Sequence, residues 1–224
     1  MTTGAGRVAA QARDDALDTA RGRGFETGLL ATLISAMALA FSGYSFYEAV
    51  LRAPAIAVFV PPRIDYTDPD RPDSPFEVFV IPVTLANDGA QTGTVLSMDL
   101  TVKNPRTGET KRFYSANVGP WAQPPTTPFA PVSLAGRASF SAPIQFWPRV
   151  GETAPRILDL EAGSYAFELT LNVAAPEGGL LGGAAIVNPL TFERQIGQLD
   201  YRNFNGPGTM AMWSTDYQPT ATRP

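Results

Sequence analysis

Two kinds of hydrophobic pattern divide this chain. From Gly28 to Tyr47 (GLLATLISAMALAFSGYSFY) twenty residues run without a charge. As a helix rising about 1.5 Å per residue, this stretch would reach about 30 Å, the thickness of a bilayer's hydrocarbon core. Only Thr32, Ser35, Ser42 and Ser45 interrupt it, and such hydroxyls are tolerated in lipid. Beyond Pro54 the continuous apolar run gives way to period-two alternation, the pattern of half-buried strands.

The alternation predicts inward rows. Leu96, Met98, Leu100 and Val102 form one, with Ser97, Asp99, Thr101 and Lys103 facing water. Ala138, Phe140, Ala142, Ile144 and Phe146 form a second. Tyr165, Phe167, Leu169, Leu171 and Val173 form a third, and Phe79, Ile81, Val83 and Leu85 a fourth. Pro82 lacks a ladder donor, which implies an edge strand or a bulge. Asn104-Pro-Arg-Thr-Gly108 predicts a hairpin turn, Asn87-Asp88-Gly89-Ala90 another turn, and the proline-rich stretch from Gly119 to Pro131 a long crossover. About seven strands result, near 55–60, 76–86, 94–103, 109–117, 133–146, 164–174 and 189–200.

These elements predict four regions: a cytoplasmic tail (1–24), a transmembrane helix (25–50, core 28–47), a β domain (55–202) and a C-terminal tail (203–224). Tyr44, Phe46 and Tyr47 crowd one end of the apolar run, where aromatic rings favour the membrane interface. Arg7, Arg13, Arg21 and Arg23 precede it, against Arg52 and Arg63 after it, a bias that puts the N-terminus in the cytoplasm. The corresponding localisation is a bacterial inner membrane, crossed once, with the C-terminal domain in the periplasm. The rival reading is a signal peptide cleaved near Ala40, since Ala38-Leu39-Ala40 fits a small-x-small site.

Seven short strands with regular turns and one crossover are the plan of two antiparallel sheets in Greek-key order. Glu161-Ala-Gly163-Ser-Tyr165-Ala-Phe167 resembles the tyrosine corner of immunoglobulin-like domains, with Phe167 in place of the second cysteine. Val132-Ser-Leu134-Ala-Gly136-Arg-Ala-Ser-Phe140 is similar to a pattern of bacterial immunoglobulin-like and fibronectin-III-like modules. The resemblance implies an all-β fold, an immunoglobulin-like antiparallel β-sandwich of about seven strands preceded by one transmembrane α-helix. It implies no activity.

Composition narrows the chemistry. The chain has no Cys and no His, which removes disulfides, thiol nucleophiles and every Ser-His, Cys-His or His-zinc arrangement. A net charge of -4, with Lys103 and Lys111 the only lysines, offers no basic face to nucleic acid. No cofactor, metal or catalytic residue is assigned. Asp65, Asp68, Asp70 and Asp73 could supply oxygen ligands to calcium, but Pro69 and Pro72 and the missing central glycine favour a solvated loop.

The apolar, glycine-rich stretch from Ala174 to Asn188 offers Leu180, Leu181, Ile186 and Val187 as a membrane or partner contact, against the alternative that they fold back over an edge strand. Asp99 and Glu168 are expected on outward faces. Phe204, Met210, Met212, Trp213 and Tyr217 mark a tail that either docks or stays free. The sequence thus predicts a non-enzymatic, membrane-anchored module with the bilayer and a protein as partners. A small-ligand or glycan receptor is the alternative, and a carboxylate-dependent hydrolase comes third.

Overall fold

The computed structural model describes residues 29–67, 76–121, 126–151, 156–158, 163–174, 188–197 and 209–216. The chain divides into two units, 1–50 and 51–224. The first holds all but the last residue of Leu29–Leu51, a helix of 23 residues long and apolar enough to cross a membrane, whose last turn, Tyr47–Leu51, widens to π geometry. A helix of this kind serves equally as an anchor or as a signal sequence. Tyr44, Phe46 and Tyr47 lie on it and are exposed. Ser35 bonds back to the Ala31 carbonyl at 2.9 Å, so its hydroxyl is satisfied within the helix.

Among the described residues the second unit has eleven strands: β1 (Ile56–Phe59), β2 (Arg63–Thr67), β3 (Val78–Asn87), β4 (Gly93–Lys103), β5 (Thr110–Val118), β6 (Thr127–Pro128), β7 (Val132–Leu134), β8 (Ser139–Pro148), β9 (Gly163–Val173), β10 (Leu190–Ile196) and β11 (Thr209–Trp213). Eight of them close a ring in the order β5-β8-β3-β2-β11-β10-β9-β4, with β4 paired back to β5. Every pairing is antiparallel. The immunoglobulin-like sandwich expected from the sequence is therefore wrong: the domain is a closed barrel with three accessory strands. Alternation is the same in a sandwich and a barrel, and the two differ only in which edges meet.

Two unexpected pairings close the ring. Thr209–Trp213, expected in the C-terminal tail, is a wall strand: β11 pairs along its whole length with β2 and meets β10 at Gln195↔Trp213. Met210 and Met212 are buried in the core as a result. The stretch expected as one strand from 133 to 146 is two strands, β7 on β4 and β8 between β3 and β5. Part of the expected crossover forms β6.

Pro82 sits in an interior strand and not at an edge. One side of β3 pairs with β2 through Val78–Val80 and with β1 through Thr84–Asn87, so Pro82 falls between these two partners. On its other side it faces Pro143. A pair of prolines fits only where neither nitrogen points across the rung, and the Pro143 carbonyl accordingly turns away to accept from the Gly119 amide at 2.9 Å.

The interior is filled. Tyr66, Phe79, Phe113, Phe146 and Phe167 are all fully buried. The Phe79 ring meets Tyr66, Phe113 and Phe167 at centroid distances of 5.2, 5.0 and 5.4 Å. At one end Asn87 ties the wall together. Its Oδ1 accepts from the Ala55 and Gly89 amides at 3.1 and 3.0 Å, while Nδ2 donates to the carbonyls of Gln91, Leu134 and Ala135. The same turn grips the start of the unit, where the Arg52 carbonyl accepts from the Ala90 and Gln91 amides. The Asn104–Gly108 hairpin forms as expected, with Gly108 at φ 77° and its amide 2.9 Å from the Asn104 carbonyl.

Candidate functional site

On the outer wall, β4 and β5 run side by side only from Asp99–Lys103 and Thr110–Tyr114. Beyond that they diverge. A bulge between Val95 and Ser97 re-aims β4, and another between Ser115 and Asn117 re-aims β5. The Met98 amide at the fork is satisfied by the Ser115 hydroxyl at 3.0 Å instead of a ladder carbonyl. Because a bulge shifts the side-chain parity, Val95 and Met98 both point inward and are fully buried, while Leu96 is turned out at 47 % exposure. Leu96 was expected in the core row, and the inserted residue is the reason it is not there.

The fork is a cleft lined by Ser97, Asp99, Tyr114, Ser115, Arg149 and Val150, with a volume of about 420 Å³. It continues into a depression of about 230 Å³ bordered by Asp99, Thr101, Arg112, Arg149 and Thr170. Its polar side chains are held before any partner arrives. Asp99 Oδ1 accepts from Arg149 Nη2 at 2.5 Å, and Oδ2 accepts from Asn172 Nδ2 at 2.9 Å. Asn172 Nδ2 also lies 2.8 Å from the Ser97 hydroxyl. The Arg149 amide bonds to the Arg112 carbonyl, which places this arginine as β8 ends. Val150, beside it, is wholly exposed.

At the barrel end beside the hairpin lies a buried ion pair. Lys111 Nζ stands 2.9 Å from Glu77 Oε1, with side-chain exposures of 1 % and 0 %. Glu77 also accepts from the Tyr66 hydroxyl at 3.1 Å and from the Ile157 amide at 3.0 Å. Burial raises the Glu77 carboxyl above its ordinary range, against the opposing pull of Lys111, the Ile157 amide and Tyr66. The pair thus holds the segment 156–158, whose Ile157 and Leu158 are buried in the core. This cluster is closed to solvent, which makes it a structural clamp.

Comparison with known proteins assigns no family. No family model matches the sequence. No curated protein matches it either. Among solved structures, a crystal structure from Bordetella pertussis, of a protein provisionally called ApaA, aligns at 12 % identity and a TM-score of 0.34, over 74 % of this chain and 98 % of its own. The structural genomics target SoR45 aligns at 14 % identity and a TM-score of 0.36, over 61 % of this chain and 85 % of its own. Likeness at that level carries neither fold nor function across.

Of the residues singled out in the sequence, Asp99 and Glu168 do lie on the outer face, and only Asp99 belongs to the fork. Leu180, Leu181, Ile186 and Val187 lie outside the described residues, as do Asp68, Asp70 and Asp73. Asp65 is paired with Arg63 at 2.9 Å, and no group of three or more acidic side chains able to hold a metal occurs among the described residues. The sequence reading missed Arg112, Tyr114 and Arg149, which nothing but the fork brings together. It also missed Glu77 and Lys111. Lys111 shares the strand parity of the inward Phe113, and that was the available signal.

Proposed function

We propose that this chain is a membrane-anchored, non-enzymatic interaction module whose barrel meets a protein partner through the fork between β4 and β5. The observation that carries this reading is the pre-formed Asp99–Arg149–Asn172 network at a bulge-made cleft. The barrel interior is filled by core side chains and holds no cavity for a ligand among the described residues, which favours recognition through the wall. The cleft presents the residue types that interfaces favour: Tyr114, Arg112 and Arg149 beside the exposed apolar Leu96 and Val150. Pre-ordered side chains lose less entropy on association.

The finer placement belongs to the same proposal: the apolar helix is retained as an inner-membrane anchor, with the N-terminus in the cytoplasm and the barrel in the periplasm. The arginine bias before the helix supports it. The test is crosslinking and affinity purification of the full-length protein from mild detergent, alongside the Asp99→Ala/Arg149→Ala double variant. A specific partner should co-purify with the native protein and be lost from the variant, whose melting temperature should be unchanged. Recovery of the same proteins with both would remove the fork from the reading.

A further inference from the structure

The barrel wall is unevenly closed. β11 lies between β2 and β10, paired with β2 from Thr209 to Trp213 and with β10 at the single rung Gln195↔Trp213. Past that rung Ser214 makes one more bond, to the Pro62 carbonyl, and the chain turns. β1 continues the line of β2 along β3, and β10 continues toward Leu190 along β9. Among the described residues no strand lies between β1 and the Leu190–Arg194 part of β10, and no ladder joins them. The result is a slot where the β11 line, if prolonged, would run. Val58 and Val60 on the β1 side and Leu190 and Phe192 on the β10 side are partly buried against the core.

Arg194 crosses the foot of this slot. It shares the inward parity of Phe192 and Ile196 and is only 5 % exposed. Its Nη2 donates to the Pro61 carbonyl at 2.6 Å and its Nη1 to the Glu193 carbonyl at 2.7 Å. The guanidinium lies 4.7 Å from the Phe192 ring centroid. Among the described residues its Nε–H finds no acceptor and none of its bonds is to a carboxylate. No carboxylate among the described residues pairs with it, and a buried cation without a counter-charge is costly, a cost that an anion brought by a partner would offset. Burial alone pulls the Arg194 pKa down, with no acid opposing.

We infer that the slot between β1 and β10 accepts an extended strand of a partner protein carrying an inward acidic side chain, which pairs with Arg194. The edges of β1 and of Leu190–Arg194, unpaired on this side among the described residues, supply the backbone donors and acceptors of strand addition. The apolar lips take alternate side chains, and Arg194 selects the charge at the foot. The inference deepens the interaction reading above but uses a different face, so either can fail alone.

The probe is the blocked hexapeptide Thr-Glu-Thr-Val-Thr-Val and its Gln counterpart, titrated into the full-length protein in mild detergent. Trp213, at the foot of the slot, reports by fluorescence. The Glu peptide should bind at least tenfold more tightly than the Gln peptide, and Arg194→Met should reduce that ratio to below twofold. Because the bare cation is costly, the same substitution should leave the melting temperature of the free protein unchanged or raise it. Equal binding of both peptides, or no binding of either, overturns the proposal. A lower melting temperature in Arg194→Met with no peptide effect makes Arg194 a clasp and overturns it too. Binding that appears only after residues 217–224 are removed would make the chain's own C-terminal segment the occupant, not a partner. The Asp99→Ala/Arg149→Ala variant should bind the Glu peptide normally, which separates this test from that of the fork.

Discussion

Replacing Lys111 with methionine removes the cation of the buried pair and leaves a barrel-end carboxylate that, among the described residues, keeps the Tyr66 hydroxyl and the Ile157 amide for compensation. At 2.9 Å the gross attraction is about 6 kcal/mol for an effective dielectric constant of about 20. Most of that is offset by the desolvation of two ions. One-sided removal nonetheless costs about 3–5 kcal/mol, because the remaining charge keeps its desolvation penalty. Lys111→Met should therefore destabilise the barrel by that amount. Adding Glu77→Gln should restore more than half, since Gln keeps an acceptor for Ile157 and carries no charge.

The pH dependence has a definite sign. Burial raises the folded-state pKa of Glu77 above its ordinary 4.5, so the folded protein holds the proton where the unfolded chain has released it. Stability from this group is complete below about pH 4.5 and falls as pH rises toward the folded value. Without Lys111 the folded value climbs further, so the penalty of Lys111→Met should be small at pH 4 and grow toward pH 7. The assay is thermal or urea unfolding of the full-length protein in detergent, followed by tryptophan fluorescence, for wild type, both single variants and the double variant at several pH values. A Lys111→Met cost below about 1 kcal/mol, or single-variant costs that simply add, would refute the buried-pair reasoning.

Further outcomes follow from the wall and its ends. Leu96→Asp should change stability by less than about 0.5 kcal/mol, whereas Met98→Asp should prevent folding, as circular dichroism would show; an unbroken alternation would make both disruptive. Asn87→Ala strands two donors and three acceptors and should cost about 3 kcal/mol or more in a chemical melt. Gly136→Ala would place a Cβ 2.0 Å from the Ala90 carbonyl oxygen, and the forced shift should cost about 1–3 kcal/mol by the same measurement. If the apolar helix is retained, the protein should resist alkaline extraction from membranes and start at its own N-terminus; a new terminus after Ala40 by N-terminal sequencing would instead identify a cleaved signal.

Much of the local structure was legible because a strand writes its buried face into every second residue. The rows through Phe79–Leu85, Ile144–Phe146 and Tyr165–Leu171 are core as expected, and so are Met98, Leu100 and Val102. The Asn104–Gly108 turn was legible because it needs a residue able to adopt positive φ. Leu96 was not, because a bulge inserts one residue without leaving a compositional mark, and all parity beyond it is reversed.

The apolar helix is the feature the sequence determined most fully, since twenty uncharged residues meet a length requirement that involves no other part of the chain. The alternating rows determined that the rest is β structure. Only the tertiary structure decided that the sheet closes on itself. Closure depends on which strand edges meet, and the deciding strand, Thr209–Trp213, is short and separated by more than 140 residues from the β2 strand it pairs with. The fork, the Glu77–Lys111 clamp and the Arg194 slot are likewise products of long-range pairing. Each brings together side chains that are ordinary alone and acquire a role only from the strands beside them.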